Sequence, residues 1–381
     1  MQRYLVESVA RACDILAAFQ SEGELLRIRD VAARTGLGTS TALRLLYTLE
    51  NRGLVERVGK HQYRLAIRFL KQRTFRIGYG SESNEFAFAR AVQEGFERAA
   101  KREGLDLMIL DNRYRPKVAI RNAETFVQKR MDLVVEFQAD EHVAAPMVSA
   151  KLMEANIPLI AVEIPHPGAT YFGVNNYAAG LVGGHHLGRW AKKYWSGEVD
   201  EVILLELPIA GSVPASRLTG MLVGIRETLG RVMDSQVVRL NGKGRFGASL
   251  EAVRRHLQRS RAQRSLVGAI NDPSAIGALR AFQEAGRQER CAVVGQNGSA
   301  EARAELRRQG SRLIGSVGYF PEQYGDGIVS LALDILAGRA VPPAVFTKHQ
   351  LITAENVDRF YPNDAMLTPE GLDLELLRSE R

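Results

Sequence analysis

The chain has 381 residues, of which 45% are hydrophobic and 25% charged, an ordinary globular composition at a length that favours two or three domains over one. No apolar run approaches the roughly 18 residues that a membrane span needs, and Glu7, Arg11 and Asp14 interrupt the first helix-like stretch, so a cytoplasmic protein without a membrane partner is expected. The net charge of +8 is uneven: residues 1–76 hold 14 Lys/Arg against 7 Asp/Glu, and the remainder holds 37 against 36. That imbalance suits a small module held against phosphate beside a neutral body, although a basic solvated surface has the same composition. Cys13 and Cys291 lie far apart with no metal or redox spacing, which reads as two reduced structural thiols.

In chain order, "ESVARACDILAAFQ" places Val9, Ala12, Ile15, Leu16 and Phe19 on one helical face. A short helix is predicted from Asp30 to the stop at Gly36, and a third follows with Thr39 or Ser40 as its N-cap and Gly53 as its stop. In that third helix Ala42, Leu45, Leu46 and Leu49 form the inward stripe, and Ser40, Leu43, Arg44 and Tyr47 repeat the spacing on the opposite face. "LVERVGKHQYRLAI" alternates about Gly59-Lys60, the pattern of a hairpin. A three-helix bundle with a merely solvated third helix satisfies the same periodicity.

The string from "SVARACDILAAF" through "DVAARTGLGTSTALRLLYTLENRGLVERVGKHQYRL", residues 8–65, resembles the winged helix-turn-helix of IclR-type transcription regulators. The resemblance implies an N-terminal all-α winged helix-turn-helix with a small β-wing over residues 1–70, bound to a double-stranded DNA operator. It places Thr39, Ser40, Thr41, Leu43, Arg44 and Tyr47 toward the groove, and Lys60 and His61 on the wing. Arg44 is the first choice for a base contact, since phosphate contacts position a protein without reading sequence.

IclR-type proteins usually continue into a GAF-like domain, and this chain departs from them. After the basic link "RFLKQR", with the linker placed at residues 71–76, strand-like and helical stretches alternate from "FRIGYG" to "VFTKHQLIT". This is the pattern of parallel sheets covered on both faces, most economically two α/β lobes. The segments "EGFERAAKREGLDLMILD", "ANIPLIAVE", "GVNNYAAGLVGGHHL", "NDPSAIGALRAFQEAG" and "VGQNG…GSVGYFPEQYG" resemble type I periplasmic sugar-binding proteins and LacI-type effector domains. That resemblance implies a C-terminal α/β two-lobed, periplasmic-binding-protein-like domain over residues 77–362, with crossings near Asn175, Tyr319 and Lys348, and a tail over 363–381. Ligand is then expected between the lobes, at the carboxyl ends of the strands.

Carried over residue by residue, the resemblance implies a ligand pocket of Phe86, Phe88, Glu163, Arg217, Asn271, Asn297 and Tyr319. Glu163 replaces the family's common Asp, Ile164 its following Arg, Asn297 an Asp and Tyr319 a Gln. With one carboxylate exchanged for a neutral amide beside Arg217, the pocket is expected to be less hostile to an anion. A neutral monosaccharide is the expected small-molecule effector, with a sugar acid or polyol next.

"GKGRFG", from Gly242 to Gly247, satisfies G-x-G-x-x-G, but Lys243, Arg245 and Phe246 make it bulky and basic, so it reads as a surface loop and not an NAD site. Adjacent His185 and His186 diverge by about 100° on a helix and cannot share a metal from one face. No catalytic residue, cofactor or metal is assigned. Together the two resemblances imply a homodimeric, ligand-responsive transcriptional regulator, a repressor or an activator. The alternatives are an enzyme built on the α/β body and a DNA-binding protein whose effector domain is insensitive to ligand.

Overall fold

The computed structural model describes residues 6–20, 23–66 and 74–366. Residues 71–73 of the expected linker and residues 367–381 of the expected tail lie outside them. The chain divides into two compact units, residues 1–74 and 75–381.

In the first unit the order is α1 (Glu7–Ala17), β1 (Leu26–Arg27), α2 (Ile28–Thr35), α3 (Thr39–Asn51), β2 (Val55–Val58) and β3 (Gln62–Leu65). β3 pairs antiparallel with both β1 and β2. Ile15, Phe19, Leu26, Val31, Leu46, Leu49, Val55 and Tyr63 form the core, so the 3.6-residue stripe of α3 is the face that leaves water. Val9 departs from the expected apolar face: it is 58% exposed, because α1 packs on this core only from Ala12 onward. α2 begins two residues before Asp30, which sits in its first turn and accepts the Arg27 N–H at 2.9 Å. Neither Thr39 nor Ser40 caps α3; the extended residue before it is Gly38. Gly59, at φ 72°, turns the β2–β3 hairpin.

The second unit runs β4 (Arg76–Ser81), α4 (Ala87–Arg102), β5 (Asp106–Asp111), α5 (Pro116–Gln128), β6 (Leu133–Glu136), α6 (Ala144–Glu154), β7 (Leu159–Val162) and β8 (Thr170–Val174). It continues with α7 (Asn176–Trp195), β9 (Glu201–Glu206), α8 (Ser212–Leu229), β10 (Val237–Asn241), α9 (Phe246–Leu257), β11 (Ser265–Ala269) and α10 (Asp272–Glu284). Last come β12 (Cys291–Asn297), α11 (Ala300–Arg307), β13 (Leu313–Gly318), α12 (Tyr324–Leu336), β14 (Ala344–Thr347), β15 (Gln350–Ile352) and α13 (Val357–Phe360).

Among the described residues these strands make two six-stranded sheets, ordered β14-β8-β7-β6-β4-β5 and β10-β9-β11-β12-β13-β15. All pairings are parallel except β13 with β15. Central strands such as "LVVE" and "LIAV" are buried along their whole length, as a sheet covered on both faces requires. The run "VFTKHQLIT" divides into β14 and β15, which join different sheets on either side of Lys348. β8 carries no alternation that marks it in the sequence. The chain passes between the sheets after β8, after β13 and after β14.

α7 and α8 pack backbone to backbone, which sets the position of the residues at the start of α8. Gly180 and Gly184 face Gly220 and Gly224; a Cβ at Gly180 would lie 1.8 Å from the Arg217 carbonyl oxygen, and one at Gly184 2.0 Å from that of Met221. Only glycine permits this approach. The two thiols differ from the expected structural pair: Cys13 is exposed, whereas Cys291 is buried and its Sγ lies 3.3 Å from the Gln288 carbonyl oxygen. Burial pushes the Cys291 thiol up, which leaves it unreactive.

Candidate functional site

Two surfaces carry the expected site residues. On α3, Ala42, Leu46 and Leu49 are buried and their opposite numbers are not: Leu43 is 43% and Tyr47 65% exposed, and Thr39, Ser40 and Arg44 are exposed beside them. Thr41 is half-buried at the edge of that face. A helix with aliphatic, aromatic, hydroxyl and guanidinium groups open to solvent along one side has the donors and apolar contacts that reading base edges uses. Lys60 and His61 are exposed at the hairpin tip, where the Arg57 Nη2 donates to the Lys60 carbonyl at 2.9 Å and ties the turn to β2.

The second surface is a cavity of about 400 Å³ between the two sheets of the body. Its walls come from the residues that follow parallel strands: Glu82 after β4, Tyr114 after β5, Phe137 after β6 and Glu163 after β7 on one side. Opposite them stand Leu207 after β9, Gly244 after β10, Asn271 after β11 and Asn297 at the end of β12. Carboxyl ends of parallel strands present loops and side chains that the sheet itself does not use, so clefts of open α/β folds collect there. Three of these positions hold non-glycine residues at positive φ, Tyr114 at 54°, Glu163 at 61° and Asn297 at 107°, a backbone cost that turns their side chains at the strand ends.

Six of the seven expected pocket residues line this one cavity: Phe86, Phe88, Glu163, Arg217, Asn271 and Asn297. Phe88 is held edge-on by Phe137, Tyr319 and Tyr324, at centroid distances of 6.1, 6.4 and 5.8 Å, so its ring cannot turn away. Phe86 meets Tyr114 edge-on at 5.1 Å, and the Arg245 guanidinium lies over both rings from the other lobe, at 5.5 and 5.0 Å. Asn271 caps α10, accepting the Ser274 N–H at 3.1 Å, while its Nδ2 donates to the Gly244 carbonyl at 2.9 Å.

Tyr319 is a correction. It is 1% exposed and lies beneath the cavity, with its hydroxyl donating to Gln296 Oε1 at 2.5 Å and its ring 4.9 Å under the Arg217 guanidinium. It supports Arg217 and does not face the open space.

Arg217 and Glu163 form an ion pair across the cleft, Nη2 to Oε2 at 3.3 Å, with both side chains 8% exposed. Every nitrogen of the guanidinium has an acceptor: Nε donates to Asn176 Oδ1 and Nη1 to the Ile270 carbonyl, each at 2.9 Å. Glu163 also accepts the Tyr324 hydroxyl at 2.5 Å and the Val174 N–H at 3.2 Å. Burial pushes the Glu163 carboxyl up against the opposing pull of Arg217 and these hydrogen bonds. Arg217 is thus already engaged by Glu163, and further carboxyls, Glu82, Glu85 and Glu301, line the same cavity, an arrangement that bears against the anion-tolerant pocket expected from the sequence.

The glycine-rich loop is a second correction. Gly244 and Phe246 line the cavity and Arg245 closes over Phe86, so the loop forms a cleft wall instead of an outer surface. Its place directly after a parallel strand was the legible signal. Glu82 and Tyr114 were missed for a different reason, since neither belongs to a motif. His185 and His186 part as their spacing requires, the first to Glu227 Oε2 at 2.7 Å and the second to the Ile314 carbonyl at 3.0 Å. Among the described residues no cluster of His, Cys, Asp or Glu has metal-site geometry, and no helix is long and apolar enough to cross a membrane.

Comparison with known proteins places two families on these two surfaces. Residues 8–59 match the IclR helix-turn-helix domain, and residues 77–340 match the periplasmic binding protein domain. Both are binding families, not enzyme families. The ribose import binding protein RbsB of Escherichia coli is 24% identical over 260 residues, which span 67% of this chain and 82% of RbsB. A solute binding protein from Mycobacterium smegmatis with bound glycerol superposes with a TM-score of 0.67 at 19% identity, over 75% of this chain and 96% of its own. The myo-inositol binding protein of Caulobacter, bound to myo-inositol, has a TM-score of 0.65 at 19% identity, over 76% and 96%.

Proposed function

The chain belongs to the periplasmic binding protein domain family and carries an IclR-type helix-turn-helix ahead of that domain, and from this premise we propose that it is a sugar-responsive DNA-binding regulator. The observation that carries the reading is the cavity at the strand ends of both lobes, walled by aromatic rings and polar groups, in the same chain as the exposed face of α3. Phe86 and Phe88 offer apolar faces for the C–H side of a pyranose or polyol, and Asn271, Asn297 and the carboxyls offer partners for its hydroxyls. The proteins of similar fold that hold glycerol and myo-inositol support a polyhydroxylated ligand.

Ligand acts here by holding the lobes together. Glu163–Arg217 and Arg245 with Phe86 and Tyr114 already reach across the cleft, and a ligand touching both walls favours the closed arrangement by its differential affinity. In a two-fold homodimer closure alters the spacing of the two α3 helices, and with it the fit to two operator half-sites. Lys60 and His61 form the wing that contacts the DNA backbone.

A thermal-shift panel of neutral monosaccharides, polyols, sugar acids and amino sugars tests the sensor half. A ligand at a hundred times its dissociation constant stabilises the folded protein by about 2.7 kcal/mol. A selective rise in melting temperature with one polyhydroxylated compound is expected, and sugar acids are expected to give none. A panel in which only sugar acids stabilise the protein contradicts this reading of the cleft.

A further inference from the structure

Within the proposed sugar cleft three carboxyls, Glu82, Glu85 and Glu301, have no hydrogen bond or ion pair among the described residues, and of these only Glu82 is half-buried, the other two being exposed. Glu82 follows β4 directly and lines the cavity, and among the described residues no hydrogen bond or ion pair engages its carboxyl. The charged groups that act on it are Glu163, from the next wall, and Arg245, from the opposite lobe. Glu163 is occupied by Arg217, Tyr324 and Val174, and Arg245 is stacked over Phe86 and Tyr114. Of the cavity's four carboxyls, Glu82, Glu85, Glu163 and Glu301, Arg217 balances one. The cleft therefore sets carboxyl groups, with Glu82 at its inner wall, around aromatic faces.

We propose that this cleft selects a sugar or polyol bearing a protonated amine, and that Glu82 is the specificity-determining residue that receives the ammonium group. The inference rests on the reading of the cleft as a sugar site. A hydroxyl placed against Glu82 gains an ordinary hydrogen bond, whereas an ammonium gains a charge-assisted one in a partly desolvated position, so the difference between otherwise identical ligands is large. A ligand carboxylate at the same place gains no charge pairing, since Glu82 can meet it only as the neutral acid. The aromatic faces of Phe86 and Tyr114 already hold one cation, Arg245, and are suited to flank another.

Protonation supplies a second signature. Burial, reinforced by Glu163 and opposed by Arg245, pushes the Glu82 carboxyl up to about 8, so near neutral pH the empty cleft holds it mostly as the acid. When R–NH₃⁺ binds, the carboxyl O–H gives its proton to solvent and the carboxylate pairs with the ammonium; no other bond changes. Binding of an amine near neutral pH releases protons, and binding of the matched neutral sugar does not.

The test compares matched probes, D-glucosamine with D-glucose, D-galactosamine with D-galactose and D-mannosamine with D-mannose, by calorimetry on the full chain in two buffers of different ionisation enthalpy. In at least one pair the amine is expected to bind roughly tenfold or more tightly, with proton release. Glu82→Gln is expected to bring that ratio close to one and to abolish the release, and Glu82→Asp to retain both. No amine bound more tightly than its neutral partner, or a preference that persists in Glu82→Gln, overturns the proposal. Neutral sugars that bind and alter DNA affinity without amine preference would remove this inference and leave the regulator standing; an amine preference with no effect on DNA binding would do the reverse.

Discussion

Arg217→Ala is expected to abolish ligand binding and to destabilise the body by about 3–5 kcal/mol, the cost of leaving one member of a buried ion pair without its partner. The substitution removes the donors to Asn176, Ile270 and Glu163 together and takes away the cation above Tyr319. Glu163 is already pushed up by burial, and without Arg217 it is pushed further. An acid whose pKa is higher in the folded than in the unfolded chain is protonated in both states at low pH. As pH rises, the unfolded chain ionises first and stability falls until the folded pKa is passed. The deficit of the variant should therefore be smallest below the ordinary carboxylate range and grow as pH rises through and above it. Urea denaturation across pH reads this directly. Adding Glu163→Gln should recover much of the stability and none of the binding; a deficit independent of pH would show that Glu163 is not the stranded charge.

Arg44→Ala is expected to lower the preference for operator over random DNA by about 1–3 kcal/mol, the range of a side chain that reads a base edge. Arg44 is exposed on α3 between Leu43 and Tyr47, and its replacement touches none of the buried stripe of Ala42, Leu46 and Leu49. Binding to random DNA and ligand binding should persist, because neither depends on reading a base. Lys60→Ala, at the hairpin tip, should instead weaken all sequences alike and reduce the salt slope by about one. Competition binding at two salt concentrations separates the two outcomes. Equal losses on operator and random DNA for Arg44→Ala would assign it to phosphate.

The sequence made some of this legible and hid the rest for physical reasons. The α3 stripe follows from a period of 3.6, and the same periodicity that buries Leu46 exposes Arg44. Glu163, Asn271 and Asn297 were legible because each belongs to a segment that resembles a family, and the fold brings them to one cavity with Phe88 and Arg217. Tyr319 was misplaced because position along the chain does not say whether a ring faces the open cavity or the guanidinium above it. Glu82 and Tyr114 belong to no motif, and only the convergence of strand ends from two sheets shows that they share a space with Arg217. The ion pair itself joins residues 54 positions apart on opposite lobes, so the charge of the pocket was not readable from its composition. The caps of α2 and α3 were misread because backbone geometry at Arg27 and Gly38 decided where the helices begin.

The central claim is that the cleft and α3 are coupled. The most direct measurement is the affinity of the purified full chain for an operator selected from genomic fragments, with and without a saturating concentration of a sugar that the cleft binds. Operator affinity is expected to change by about five- to 150-fold, and the operator to change sugar affinity by the same factor in the same sense. Identical operator affinity with the cleft empty and filled would contradict it.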